Sequence, residues 1–230
     1  MSTIGIIGAM DAEVDGLIAK LSDYKSEVIG GVKFHTGVML GKNVVIARCG
    51  VGKVFAAMCA EAMIIKYSPD LLVNTGVGGA LDSALSTGDI VVATSLCQHD
   101  MDTSALGDPK GFVSGIEKIY FDADRGAVSL LCEGGKSLGI TVKEGVIASG
   151  DVFVADSDMK ARITEQFSAS VCEMEGAAIA QTAYVNGTSF AVVRAISDGA
   201  NGDSAVDFPA FLKIAAEKSQ ALTSYLIKNY

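Results

Sequence analysis

Short apolar runs, each ending in glycine or a carboxylate, recur along this chain, with stretches of helical character between them. Thr3–Gly8 is Ile-rich and leads into Ala9, which reads as a buried strand. Residues 11–20 follow as a helix with acidic groups in its first turn, where the helix dipole favours them. Residues 34–40 and 44–47 flank Gly41-Lys42-Asn43 as a hairpin. An Ala- and Met-rich helix runs from Gly50-Val51-Gly52-Lys53 to Tyr67-Ser68-Pro69. Strands at 71–74 and 89–93 come next, then a long polar segment at 98–115. The second half repeats the rhythm, with helices expected at 124–138, 158–166, 176–185 and 208–227. Its strands are expected at 146–149, 170–173 and 190–196. The alternation predicts an α/β fold, a single three-layer domain over residues 1–230. Its sheet is expected to be mixed but mostly parallel, flanked by helices on both faces.

The chemistry-bearing residues fall at the ends of those strands, where open α/β sheets bind their ligands. Gly8-Ala9-Met10 follows the first strand, and Gly50-Val51-Gly52 and Thr75-Gly76-Val77-Gly78-Gly79 follow two others. Glu173-Met174-Glu175 and Ser197-Asp198 follow the last two, so five ends point to one crevice. Its carboxylates sit at the edges of apolar runs, where an unpaired charge must pair, hydrogen-bond or take up a proton. Glu13, in Met10-Asp11-Ala12-Glu13-Val14, is expected to join them. The glycine-rich stretch at 75–79 is neither a Walker loop nor Gly-x-Gly-x-x-Gly. It reads either as a tight strand-to-helix turn or as a place where the backbone approaches a small ligand closely.

Composition narrows the partners. With 27 acidic against 18 basic residues the net charge is −9, which disfavours nucleic acid and anionic membranes. The five cysteines are odd in number and widely spaced, without a Cys-x-x-Cys pair. They predict neither a disulfide framework nor a zinc site, but a reducing, cytoplasmic setting. Residues 1–10 lack the basic leader of a secretory signal, and every apolar run breaks well before membrane-spanning length. Half of the 230 residues are hydrophobic, as a large interior or an extensive subunit interface requires. No metal or other cofactor is expected. A metal site at His99, Asp100 and Asp102 is the sharper reading of that segment, but the chain has only two histidines.

A family resemblance rests on six segments in order: Gly5-Ile6-Ile7-Gly8-Ala9-Met10-x-x-Glu13-Val14, Gly50-Val51-Gly52-Lys53, Asn74-Thr75-Gly76, Ser149-Gly150-Asp151-x-Phe153, Glu173-Met174-Glu175-Gly176-Ala177 and Arg194-Ala195-Ile196-Ser197-Asp198. Together they closely resemble the bacterial 5′-methylthioadenosine/S-adenosylhomocysteine nucleosidases of the nucleoside phosphorylase superfamily. That resemblance implies a homodimer that cleaves the adenine–ribose bond with water, in methionine salvage and recycling. It implies methylthioadenosine, S-adenosylhomocysteine and 5′-deoxyadenosine as substrates.

The chemistry explains the residue types. N-ribosyl cleavage passes through an oxocarbenium-like sugar, and adenine leaves readily only when protonated, so an acid and a base are both needed. The resemblance assigns Asp198 as the acid at adenine N7 and Glu13 as the base that activates water. Without the family, Asp198 reads as a turn residue partnered by Ser197, and Glu13 as a first-turn helix carboxylate. The resemblance puts Glu175 on the ribose hydroxyls, with Arg194 as its fixed cationic partner helping to hold the water. Glu173 points the same way as Glu175 and fits a structural role equally well. Ala9, Met10, Val51, Val77, Gly78, Gly79, Phe153, Val154, Met174, Ser197 and Phe208 make up the remaining substrate pocket. Phe153 is expected to stack on adenine, and the backbone at Val154 to read its edge.

Many relatives carry Ser at the position of Val77, where Val offers no hydrogen bond, although some carry Val. The segment Gln98-His99-Asp100-Met101-Asp102-Thr103-Ser104-Ala105-Leu106-Gly107 is similar to a subset that cleaves 6-amino-6-deoxyfutalosine in menaquinone synthesis. Residues 98–115 are also the stretch expected to reach a second subunit's site. Two rivals remain. A nucleoside phosphorylase typically places a Gly-Asp-Pro-x-Arg stretch after the first strand to cradle phosphate, where this chain has Glu13. A non-catalytic nucleoside-binding protein would have lost one of Glu13, Glu175, Arg194 or Asp198.

Overall fold

The computed structural model describes residues 2–198 and 204–230, the last stretch with side chains from 211 onward. Ten strands and six helices follow in chain order: β1 Thr3–Gly8, α1 Asp11–Ile18, β2 Ser22–Ile29, β3 Val32–Met39, β4 Lys42–Arg48, α2 Lys53–Tyr67, β5 Leu71–Ala80, β6 Ile90–Gln98, β7 Phe121–Asp122, α3 Arg125–Leu138, β8 Val142–Ser149, α4 Ser157–Phe167, β9 Ala169–Glu173, α5 Gly176–Val185, β10 Ser189–Asp198 and α6 Ser204–Asn229. A 3₁₀ turn at Ser104–Leu106 lies within the long polar segment.

The sheet differs from the expected open, mostly parallel one. β1 runs parallel to β4 and β5, β10 parallel to β5, and β8 parallel to both β6 and β9. Antiparallel ladders are as numerous: β2–β3, β3–β4, β5–β9, β6–β7 and β6–β10. β5, β10, β6, β8 and β9 pair in turn and close on themselves, while β1, β4, β3 and β2 extend from β5. The physical cause lies in β5 and β10, each ten residues long and in register from Leu71↔Ser189 to Gly78↔Ile196. Strand twist accumulates over such a length, and bulges add to it between Ile196 and Asp198, Ala93 and Ser95, and Val146 and Ile147. The twisted ends of β5 and β10 then find partners on opposite sides of a small ring.

Thr75 to Ala80 is therefore strand, not the tight turn that its glycines suggested. Gly76, Gly78 and Gly79 all lack positive φ, so glycine is needed there for its missing Cβ, not for turn geometry. β2 carries Ser, Asp, Lys and Glu in an almost wholly exposed edge strand and shows none of the apolar alternation that marks a strand in sequence. Two groups of helices cover the sheet: α1, α3 and α6 pack together, as do α2 and α5. Between them Ile4, Ile6, Ile7, Leu72, Val73, Val192 and Ile196 are fully buried. No described helix is long and apolar enough to cross a membrane.

Candidate active site

The ends of β1, β5, β9 and β10 surround one cavity of about 400 Å3, a size suited to a small organic ligand. Its wall is formed by Ala9, Met10, Glu13, Val51, Val77, Gly78, Gly79, Val152, Phe153, Val154, Cys172, Glu173, Met174, Glu175, Ser197 and Asp198. None of these described residues is a lysine or arginine. Most of the described wall is apolar, and its polar side chains are four carboxylates and the Ser197 hydroxyl.

Glu13 sits in the first turn of α1, turned back over the end of β1. Its Oε2 accepts from the backbone N–H of Ala9 at 2.7 Å and Met10 at 3.0 Å, and its Oε1 from Val77 at 3.0 Å. The Val77 backbone thus makes a contact that its side chain could not. β5 must pass very close for this: a Cβ on Gly76 would lie 2.5 Å from Glu13 Oε1 and 3.0 Å from Arg194 Nη1. A Cβ on Gly79 would lie 2.9 Å from Asp198 Oδ2. The two glycines let both carboxylates rest against one strand.

Glu173 ends β9, and Glu175 caps α5. The Glu173 carboxylate accepts from the Ser149 hydroxyl, the Arg194 guanidinium, and the backbone N–H of Glu175 at 3.0 Å and Gly176 at 2.8 Å. Glu175 Oε1 accepts from the Gly52 N–H at 2.8 Å, so the turn before α2 braces the second carboxylate. Arg194 is 1% exposed and lies behind the acids, absent from the cavity wall. It reaches Asn74 Oδ1 at 2.5 Å and pairs closely with Glu173, while Glu175 Oε2 is 3.8 Å away. The expected Arg194–Glu175 partnership is therefore the looser of its two ion pairs. Glu173 is the nearer partner.

These contacts split the carboxyl groups electrostatically. Burial alone would raise Glu173, but Arg194, Ser149 and the helix N–H groups outweigh it and hold the group below its ordinary value. Burial raises Glu13 above the usual carboxylate range, with Arg194 and three backbone N–H groups opposing without cancelling it. Burial, then the neighbouring Glu173 charge, pushes Glu175 up to about 7 against the pull of Arg194 and the Gly52 N–H. A locked anion thus stands beside two carboxyls that burial makes harder to ionise, Glu175 at about 7 and Glu13 raised as well. Asp198, at the end of β10 and 2% exposed, accepts from the Ser197 hydroxyl at Oδ1, 2.9 Å away. Lys160 Nζ lies 3.7 Å from its Oδ2.

Of the residues singled out in the sequence, the wall gathers Ala9, Met10, Glu13, Val51, Val77, Gly78, Gly79, Phe153, Val154, Glu173, Met174, Glu175, Ser197 and Asp198. The side chain of Phe208 lies outside the described residues. Asp100 is taken up by the Lys53 ammonium at 2.6 Å and the Asp151 N–H at 2.9 Å, while Asp102 pairs with Lys110. Val152, Cys172 and Lys160 were not anticipated. Lys160 did leave a trace, a lysine in the apolar stripe with Ile163 and Phe167 on α4. Asn74 and Ser149 stood inside the quoted motifs without a role and prove to be the partners of Arg194 and Glu173.

The Phosphorylase superfamily matches residues 3–228. The 5′-methylthioadenosine/S-adenosylhomocysteine nucleosidase of Shewanella sp. (strain MR-7) is 39% identical over 228 residues, covering 98% of this chain and 96% of that protein. A crystal structure of the nucleosidase of that name from Neisseria meningitidis, in complex with methylthio-immucillin-A, superposes with a TM-score of 0.96 at 34% identity, covering 100% of both chains. A futalosine hydrolase structure from Helicobacter pylori superposes with a TM-score of 0.95 at 33% identity, covering 100% of this chain and 98% of that one. The chain belongs to the phosphorylase superfamily and, within it, to the 5′-methylthioadenosine/S-adenosylhomocysteine nucleosidases, which are N-glycosyl hydrolases.

Proposed function

We propose that the protein hydrolyses the N-ribosyl bond of 5′-methylthioadenosine, S-adenosylhomocysteine and 5′-deoxyadenosine to adenine and the corresponding ribose product, in methionine salvage and recycling. One observation carries this reading: two buried carboxyl groups, Glu13 and Asp198, share one cavity with no lysine or arginine among its described lining residues. Their contact points on β5, Gly76 and Gly79, are three residues apart, about 10 Å along a strand. That span leaves room for a sugar and an attacking water, as in hydrolysis with an acid on one face and a base on the other. Asp198 protonates adenine at N7, and Glu13 takes a proton from water. Glu175 accepts from the ribose hydroxyls, and its charge favours the developing sugar cation. Arg194, behind the wall, and Glu173, within it, hold Glu175 and charge-balance the cluster. Phe153 stacks on the base, and the apolar wall takes the 5′-alkylthio group.

The enzyme works in this reading as a cytoplasmic homodimer, its five cysteines free. Support for the dimer comes from the apolar face of α2, where Val54, Phe55 and Met58 are exposed beside Val51 and Phe153 at the cavity mouth. The test is adenine release from methylthioadenosine, without and with phosphate, on protein whose sedimentation is measured in the same buffer. Equal rates with free methylthioribose as product are expected, from a dimer. A requirement for phosphate would make the protein a phosphorylase, and a monomer at micromolar concentration would remove the dimer. The Helicobacter pylori futalosine hydrolase likeness favours a second substrate class, 6-amino-6-deoxyfutalosine, which belongs in the same assay.

Acid sensitivity is a further expectation. Glu175 accepts hydroxyl donors best when ionised, and in the free protein it is raised to about 7. Lowering the pH through 7 protonates it, so kcat/KM falls as the pH drops, approaching tenfold per unit well below 7. The affinity of a non-hydrolysable analogue bearing both ribose hydroxyls falls in parallel. Affinity unchanged down to pH 5 would remove Glu175 from the hydroxyls.

A further inference from the structure

Lys160 is a lysine on the buried stripe of α4, with its side chain only 6% exposed. An ammonium so placed is costly unless a charge answers it. The described carboxyl group beside it is Asp198, whose Oδ2 lies 3.7 Å from Nζ and whose side chain is 3% exposed. That separation exceeds a hydrogen bond, so the cation lends charge to Oδ2 without occupying its proton position. Ser197 Oγ–H supports the other oxygen, Oδ1. Cys172, facing the pair from β9, stays a neutral thiol: burial, then the Asp198 charge, pushes it up to about 12. On the cavity side Asp198 meets Gly79 of β5, which carries no charge.

Resting on the reading of Asp198 as the acid, we propose that Lys160 is a positioning residue for leaving-group departure, its ammonium neutralising the carboxylate that Asp198 becomes. In the step concerned the Asp198 proton passes to adenine N7, and the electrons of the C1′–N9 bond leave with adenine. Water oxygen bonds to C1′, and a water proton goes to Glu13. Lys160 keeps its protons throughout. Without it, proton donation would create a buried carboxylate whose partner among the described side chains is the Ser197 hydroxyl, and breaking a buried pair in this way is strongly unfavourable. Lys160 also fixes where that carboxylate sits, from an element that contributes no residue to the cavity wall.

The test is a double-mutant cycle on methylthioadenosine, read by single-turnover adenine release, with analogue affinity and melting temperature recorded for each variant. K160M is expected to lower the rate roughly 10–100-fold, less than the roughly 10²–10³-fold for a donor bonded directly to the developing charge, with analogue affinity little changed. K160R should recover most of the rate. In the D198N background K160M should change the rate by no more than about twofold, because its effect runs through Asp198. K160Q, neutral and similar in length, replaces K160M if the latter does not fold. A wild-type rate in the neutral variant, or a loss that multiplies with that of D198N, overturns the proposal. Undiminished turnover in D198N alone would overturn the acid assignment itself.

Discussion

Replacing Asp198 by Asn lowers the turnover of methylthioadenosine by about 10²–10⁴-fold, the usual worth of a general acid. Asn keeps the size of Asp and an oxygen for the Ser197 hydroxyl, which bonds to Oδ1 at 2.9 Å. It cannot give up a proton to adenine N7. Binding, which depends on the apolar wall and on Glu175, should survive, so the loss appears in kcat rather than in KM. Single-turnover adenine release measures it directly. A variant within tenfold of the parent rate would mean that adenine departs without protonation from this residue.

Glu13→Gln should be as severe for a different reason. The carboxylate accepts three backbone N–H groups, two on Oε2 and one on Oε1. An amide satisfies them only in part. If its oxygen keeps Ala9 and Met10, its NH2 faces the Val77 N–H, donor against donor, which costs about 1–3 kcal/mol. The variant therefore loses stability as well as the base, and hydrolysis should fall about 10²–10⁴-fold. Affinity for an adenosine thioether analogue should persist, since neither base nor 5′ group depends on Glu13. Calorimetric titration of the variant decides this, and loss of binding would argue that Glu13 holds substrate rather than water.

The positions of both residues at the cavity were legible in the sequence because their motifs are local, whereas the roles given to them rest on the family resemblance. Gly8-Ala9-Met10-x-x-Glu13 brings a strand end and a helix first turn within five residues, and Ser197-Asp198 closes an apolar run. Most strands and helices were legible for the same reason, each being written in its own apolar periodicity. β2 was not, because an exposed edge strand needs no apolar face. Of the two readings open for residues 75–79, the tight turn gives way to strand, while Gly78 and Gly79 do line the cavity. The glycines of this stretch answer to side chains lying across it, Glu13 and Arg194 at Gly76 and Asp198 at Gly79, and none of these is a sequence neighbour.

By itself the sequence determined the α/β class, the superfamily and most of the groups that line the site. Only the tertiary structure decided how those groups are wired. Arg194 belongs first to Glu173 and to Asn74, 120 residues away, and the Val77 N–H serves Glu13 across 64 residues. The closing of the sheet through β5 and β10 and the pairing of Lys160 with Asp198 are of the same kind. The physical reason is the reach of each interaction. Periodicity and capping act between residues a few positions apart and leave a pattern in the chain. The charge state of a buried carboxyl depends on which distant cation and which N–H groups folding brings within 4 Å, and no local pattern records that.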